Sequence, residues 1–348
     1  MKTNIGVHTY SVSMMLTANQ YHTIKRNVPE LELKKIDYFN SKEFLYSGFR
    51  ENQGIKIYLS HFGLLYQLRI QIEPCRVLGS NNPTDLYISN KKAYRKLVKI
   101  TDEILKNCKV PRSIDKMKIC RIDLTNDLYF DDHEMLMQYL RILKKGMILP
   151  HYKLKRFNEK EKKAKDPVSA NKHSYRQQCK SAIFTAYDKT AQLDMIGRAD
   201  NILMGKYILR LEAALKRNTM QKHLGKQSDN YHFLKTGAEK SQKVIIWYLK
   251  RIFKGCTGSH VCYQDAVDKV NATLWKEKTK KRLCYFLRKV SDSQSLNAAI
   301  DKTCERFRLS SSQMSRLMKK LDQLDIHPIT LPNNCKFEYL KELKQHKN

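Results

Sequence analysis

The chain has no run of about 18 apolar residues, so no membrane-spanning helix is expected. Met1 to Tyr10 contains no apolar stretch behind basic residues, and a secretory signal is not expected there. No C-x-x-C occurs. The nine cysteines (75, 108, 120, 179, 256, 262, 284, 304 and 335) are odd in number and scattered, as expected for thiols in a reducing cytoplasm. Cys256-Thr-Gly-Ser-His260-Val-Cys262 clusters three soft ligands, but zinc sites combine short spacings from two separate parts of a chain. It reads instead as a turn leading to a buried Cys262. Without a G-x-x-x-x-G-K-[ST] sequence, no ATP-driven motor is expected. No His-hydrophobic-His triplet exists, and His8, His22, His61 and His133 stand isolated, which leaves histidine-metal nicking chemistry unsupported. Acidic residues are scarce: 34 Asp and Glu face 66 Lys and Arg, a formal charge of +32. So one-sided a field predicts a polyanionic partner, and nucleic acid fits better than a membrane.

What is present is a set of three short segments with period-two alternation: Arg121-Ile-Asp123-Leu, Tyr187-Asp-Lys189 and Arg210-Leu-Glu212. Alternate residues of a strand share a face. Cys120, Ile122, Leu124 and Leu128 therefore oppose Arg121, Asp123 and Thr125. Phe184 and Ala186 oppose Thr185, Tyr187 and Lys189, and Leu209 and Leu211 oppose Arg210 and Glu212. If the apolar faces are covered, one open face gathers carboxylates, a tyrosine and cations. An antiparallel sheet with one solvated face carries the same charges without any chemistry.

Residues 55–78 read as a hairpin with Gly63 between its strands, and 91–107 as a helix ended near Pro111. Asp131 or Asp132 caps a second helix striped by Leu136, Leu140 and Leu143. Residues 151–180 are basic with interleaved aromatics. Lys153, Lys155, Arg156, Lys160, Lys162, Lys163, Lys165, Tyr175 and Arg176 make a candidate surface for tracking a backbone and stacking bases. Residues 217–240 look like a linker. Helical patterns follow from 241, including a pair around Arg308-Leu-Ser310 and then an extended segment at 325–332. That order suggests a helix-turn-helix with a wing, able to read a duplex.

Phosphodiester cleavage needs an in-line nucleophile and stabilisation of charge on the phosphoryl oxygens. Mg²⁺ or Mn²⁺ would take oxygen ligands, for which Asp123 and Glu212 are best placed. Asp127 shares the face of Asp123 but lies about 13 Å further along a regular strand. Tyr187 is the candidate nucleophile. A phenol is ordinarily protonated at neutral pH, with a pKa of about 10, and a nearby metal or Lys189 would favour the phenolate. Arg121, Lys189 and Arg210 are candidates to grip the scissile phosphate.

In order and spacing, Arg121-Ile-Asp123-Leu-Thr-Asn-Asp127, Ala186-Tyr187-Asp188-Lys189 and Leu209-Arg210-Leu-Glu212 resemble the strand motifs of replication initiation factors that lack the histidine triplet. These are rolling-circle initiators of plasmids and phages, with related relaxases. The resemblance covers roughly residues 55–216. It implies a nicking tyrosine at Tyr187, a metal at Asp123 and Glu212, and strand rejoining through a phosphotyrosyl link. It also implies origin DNA, single-stranded at the nick, and a host helicase as partners.

The expected fold class is α+β. A ferredoxin-like antiparallel nuclease domain spans 1–216, a linker 217–240 and a mainly helical domain 241–348. The alternatives are a relaxase that starts conjugative transfer and a non-enzymatic DNA- or RNA-binding regulator.

Overall fold

Strands form where β-branched and aromatic residues alternate with polar ones, and helices where apolar residues recur at three and four. The structure, a computed structural model, describes residues 3–33, 43–155, 173–195, 197, 205–293 and 295–343. In chain order, β1 (Thr3–Leu16), α1 (Ala18–Asn27), β2 (Glu32–Leu33), β3 (Glu43–Ser47), β4 (Ile55–Phe62), β5 (Leu65–Ile72), α2 (Pro74–Val77) and α3 (Lys91–Asn107) precede β6 (Lys118–Phe130). Next come α4 (His133–Lys145), β7 (Lys153–Leu154), β8 (Ser174–Gln178), β9 (Ala182–Asp188), α5 (Lys189–Met195) and β10 (Tyr207–Lys216). Then follow α6 (Arg217–Leu224), α7 (Asn230–Ile252), β11 (His260–Val261), α8 (Tyr263–Asn271), α9 (Glu277–Asp292), α10 (Leu296–Phe307), α11 (Ser311–Gln323) and β12 (Tyr339–Leu340). The class is α+β, with a large antiparallel sheet component. Two compact units interleave along the chain, so the division does not follow sequence order. One comprises 4–126 and 212–244, the other 1–3, 127–211 and 245–348.

In the first unit the strand order is β2-β3-β4-β5-β1-β6-β10, with β6 and β10 contributing the parts that fall within it. β2 to β5 and β1 pair antiparallel. The β4–β5 hairpin closes across Phe62 and Leu65, and Gly63 takes φ 58°, a left-handed turn conformation that costs glycine little. Asn90 caps α3 by accepting the Ala93 N–H, and the helix buries Tyr94, Leu97, Thr101 and Leu105.

Within 217–240, expected to be a linker, 217–224 form α6 and 230–240 the start of α7, with a short turn between them. Asn230 donates to the carbonyls of Ile114 and Met117, and Ser241 to that of Thr125, which pins α7 to the end and the face of β6. Between them Gly237 lets the helix come close. A Cβ there would lie 2.6 Å from Ile122 Cδ1. Gly237→Leu is therefore expected to lower stability by about 1–3 kcal/mol through overpacking, read as a fall in Tm. An unchanged Tm would show that α7 does not press on Ile122.

In the second unit the order is β6-β10-β9-β8-β7, and β7, β8 and β9 pair antiparallel. Asp132 caps α4, accepting the N–H groups of Glu134 and Met135, and Leu136, Leu140 and Leu143 are buried beneath the helix. Phe184 of β9 stacks on Tyr248 of α7 with ring centroids 5.1 Å apart. Ser310 caps α11 in a capping box with Gln313, and Arg308 turns the chain between α10 and α11 at φ 47°. The extended segment at 325–332 is not an exposed wing. Ile326, His327, Ile329 and Leu331 are buried, and the segment bridges to Ser259 and Cys262. Four closely spaced apolar or aromatic side chains stabilise it as a packed segment rather than a projecting one. Among the described residues, no helix is long and apolar enough to cross a membrane.

Candidate functional site

Pleating places Arg121, Asp123, Thr125 and Asp127 on one side of β6 and Cys120, Ile122 and Leu124 on the other. In the first unit, Arg121 holds Asp123 with a two-pronged grip: Nε to Oδ1 at 2.7 Å and Nη2 to Oδ2 at 2.8 Å. Thr9 on β1 donates its hydroxyl to the same Oδ2. Asp123 is 2 % exposed, whereas Arg121 and Glu212 are half-buried. The Asp123 carboxylate pushes the Arg121 guanidinium above its ordinary pKa, against the opposing cost of burial, and Glu212 adds to the rise. Asp123 and Glu212, far apart in sequence, lie on the neighbouring strands β6 and β10. Their oxygens are of the class that Mg²⁺ or Mn²⁺ takes. Arg121 holds both Asp123 oxygens, so an ion bound to them has to displace it.

In the second unit, Asp127, which alternation put on the face of Asp123, has another task. Arg210 Nε and Nη2 reach Asp127 Oδ1 and Oδ2, each at 2.7 Å, and both side chains are 0 % exposed. A divalent cation does not fit beside a fully buried guanidinium that holds both oxygens. Nor does Arg210 reach solvent, where a phosphate would approach. The pair ties β6 to β10.

Tyr187 is half-buried on β9, opposite Ser174 of β8. The strand ends one residue later. Asp188 Oδ1 accepts the Ala191 N–H, which starts α5 at Lys189. Lys189 therefore leaves the strand alternation that would have set it beside Tyr187. It is buried, and its Nζ donates to Gln192 Oε1 at 2.8 Å.

Lys153 and Lys155 are exposed in and beside β7, and Arg176 on β8 donates to Gln178 at 2.9 Å. Tyr175, expected to stack on bases, is 5 % exposed and bonded to Gln177. Burial pushes its phenol above the ordinary pKa. Strand alternation points it inward despite its basic neighbours. Arg156, Lys160, Lys162, Lys163 and Lys165 lie outside the described residues.

One grouping was not legible in the sequence. His133 opens α4, His173 directly precedes β8 and Asp188 ends β9. His133 Nε2 lies 2.7 Å and His173 Nδ1 3.3 Å from Asp188 Oδ2. Among the described residues this is the one group of three histidine, cysteine or carboxylate donors that converges. Cys256, His260 and Cys262 do not converge in this way. Cys256, not Cys262, is the buried cysteine, and His260 Nδ1 sits 2.7 Å from the Ile329 carbonyl. The β8–β9 register could have exposed the grouping: if Ser174 pairs with Tyr187, then 173 and 188 are neighbours.

No protein-family model matches the chain, and no curated protein does either.

Proposed function

We propose that the protein is a rolling-circle replication initiator with a ferredoxin-like nuclease fold, which nicks and rejoins one DNA strand at an origin through Tyr187. The observation that supports this reading is that β6, where Arg121 holds Asp123, and β10, which carries half-buried Glu212, are neighbours in the sheet. It brings the carboxylates of two separate motifs onto adjacent strands. In the reaction the Tyr187 oxygen attacks phosphorus and the 3′ oxygen leaves. The 5′ phosphate stays on the tyrosine as an ester that a 3′ hydroxyl can later attack in reverse. Arg121 is the cation that the motif pattern assigns to the phosphate. Asp123 and Glu212 are the residues that would hold Mg²⁺ or Mn²⁺, which when bound supplies charge stabilisation on the phosphoryl oxygens.

The test is incubation of the full chain with single-stranded origin oligonucleotides and Mg²⁺ or Mn²⁺. Expected products are a free 3′ hydroxyl fragment and a 5′ fragment end that no kinase can label because protein blocks it. Chelator should stop the reaction, and Asp123→Asn and Glu212→Gln should lose it while still binding DNA. Full cleavage by Glu212→Gln in chelator would remove the metal assignment. The two-pronged pairing of Asp123 with Arg121 favours one second reading, a non-enzymatic nucleic-acid binder. Complete absence of nicking with intact binding would select it.

The net charge of +32 predicts salt-sensitive binding to single strands, with a slope of about −0.7 in log K against log salt for each phosphate neutralised. In the helical C-terminal part, α11 exposes Ser312, Gln313, Ser315, Arg316 and Lys319 on the side away from its buried Met314, Leu317 and Met318. This is the helix face assigned to duplex reading. Arg316→Ala with Lys319→Ala should weaken origin-duplex binding about tenfold or more and leave nicking of single strands intact. Unchanged duplex affinity would make this part a packing module.

A further inference from the structure

We propose that His133, His173 and Asp188 form a binding site for one divalent transition-metal ion of the zinc class, independent of the nicking reading. The three donors come from separate elements and are set by backbone structure. His133 is the first residue of α4, fixed by the Asp132 cap. His173 and Asp188 face each other across the β8–β9 ladder, where the Asp188 N–H donates to the His173 carbonyl at 2.9 Å. Asp188, whose carboxylate is buried, is anchored once more, through the bond of its Oδ1 to the Ala191 N–H at 3.0 Å.

The arrangement matches what such an ion needs. His133 Nε2, His173 Nδ1 and an Asp188 oxygen lie within 4.8 Å of one another. Bonds of about 2.0–2.1 Å in a tetrahedron set ligand atoms about 3.4 Å apart. The His173–Asp188 separation of 3.3 Å is already there, and the His133–Asp188 separation of 2.7 Å needs to open by about 0.7 Å. The carboxylate is 0 % exposed, but the two imidazoles are 40 % and 41 % exposed. The ion would thus be anchored from below and reached from solvent, with its remaining position left to water. Tyr207 packs beside His133 with ring centroids 5.0 Å apart and limits the imidazole's swing. Two imidazoles and one carboxylate suit zinc, cobalt, nickel or ferrous iron, whereas magnesium prefers all-oxygen surroundings. The site is therefore chemically distinct from the Asp123 and Glu212 pair.

The experiment uses untagged full-length protein, stripped of metal and titrated with Co²⁺ and Zn²⁺. Visible absorption and metal analysis after dialysis are the readouts. One equivalent should bind at this site, with ligand-field bands and without the sulfur charge-transfer band that thiolate ligands produce. Excess Mg²⁺ should not displace it. His133→Gln and His173→Ala should each weaken that equivalent at least about 100-fold, beyond the cost of losing an outer-sphere partner. Far-UV circular dichroism checks the fold of both. His173→Ala, at a half-exposed position before a strand, carries the test if His133→Gln misfolds. Failure of the wild type to bind Co²⁺ and Zn²⁺, displacement by Mg²⁺, thiolate bands alone, or unchanged affinity in folded His173→Ala would each overturn the proposal. None of these outcomes depends on whether DNA is cleaved.

Discussion

Tyr187→Phe should bind single-stranded DNA as the wild type does and nick it slower by orders of magnitude. The substitution removes one oxygen from a half-buried ring on β9. The strand pairing through Ser174 uses the backbone, and the ring volume is nearly unchanged, so the β8–β9 pairing should be retained. The DNA affinity expected from the net charge of +32 is not touched by the change. What disappears is the only atom that the proposed chemistry uses to attack phosphorus, and with it the covalent intermediate. Filter binding and nicking measured on the same preparation separate the two effects. Equal nicking by the variant would remove Tyr187 from the mechanism, and loss of both activities would point to a folding role instead.

The second large effect is on stability. Asp127→Ala should cost about 3–5 kcal/mol, because the fully buried Arg210 would lose the carboxylate that balances its charge. The measurement is the midpoint of urea unfolding, with expression level as a first sign. The double change Asp127→Leu with Arg210→Met should recover most of the loss, since apolar residues of similar size often replace a buried pair at little cost. A single variant as stable as the wild type would show that the pair is not sealed from water. The outcome also bears on function. If Asp127 were a metal ligand facing solvent, its loss would reduce cleavage and leave the unfolding midpoint in place.

Much of the framework was legible because its signals are local. Period-two alternation marked β6, β9 and β10, and the Asp131-Asp132 pair marked the start of α4, which Asp132 caps. The errors arose where a residue's neighbours in space overrode those in sequence. Gly237 reads as a helix breaker in a polar stretch, yet α7 runs through it because a side chain there would strike Ile122. Tyr175 sits among basic residues, but the pleat of β8 turns it inward. The Tyr-Asp-Lys triplet reads as continuous strand, whereas Asp188 stops it by capping α5.

The candidate site divided in the same way. Asp123, Glu212 and Arg121 lie on strands that alternation identified, and Arg121 pairs with Asp123 on one face of β6. Asp127 and Arg210 were legible as polar strand residues, but not as partners, because pairing between strands is not written in either segment alone. His133 stood alone in the sequence. Its neighbours His173 and Asp188 are distant in the chain and meet it only through the β8–β9 register and the entry of α4.

The most direct measurement of the central claim is the chemical identity of the covalent adduct. Wild-type protein incubated with an end-labelled single-stranded origin oligonucleotide and Mg²⁺ or Mn²⁺ should retain the 5′-phosphate fragment after denaturation. Peptide mapping of that adduct should place the phosphodiester on Tyr187. An adduct mapped to a different tyrosine would contradict the assignment of the nucleophile, and cleavage with no adduct at all would contradict the phosphotyrosyl mechanism.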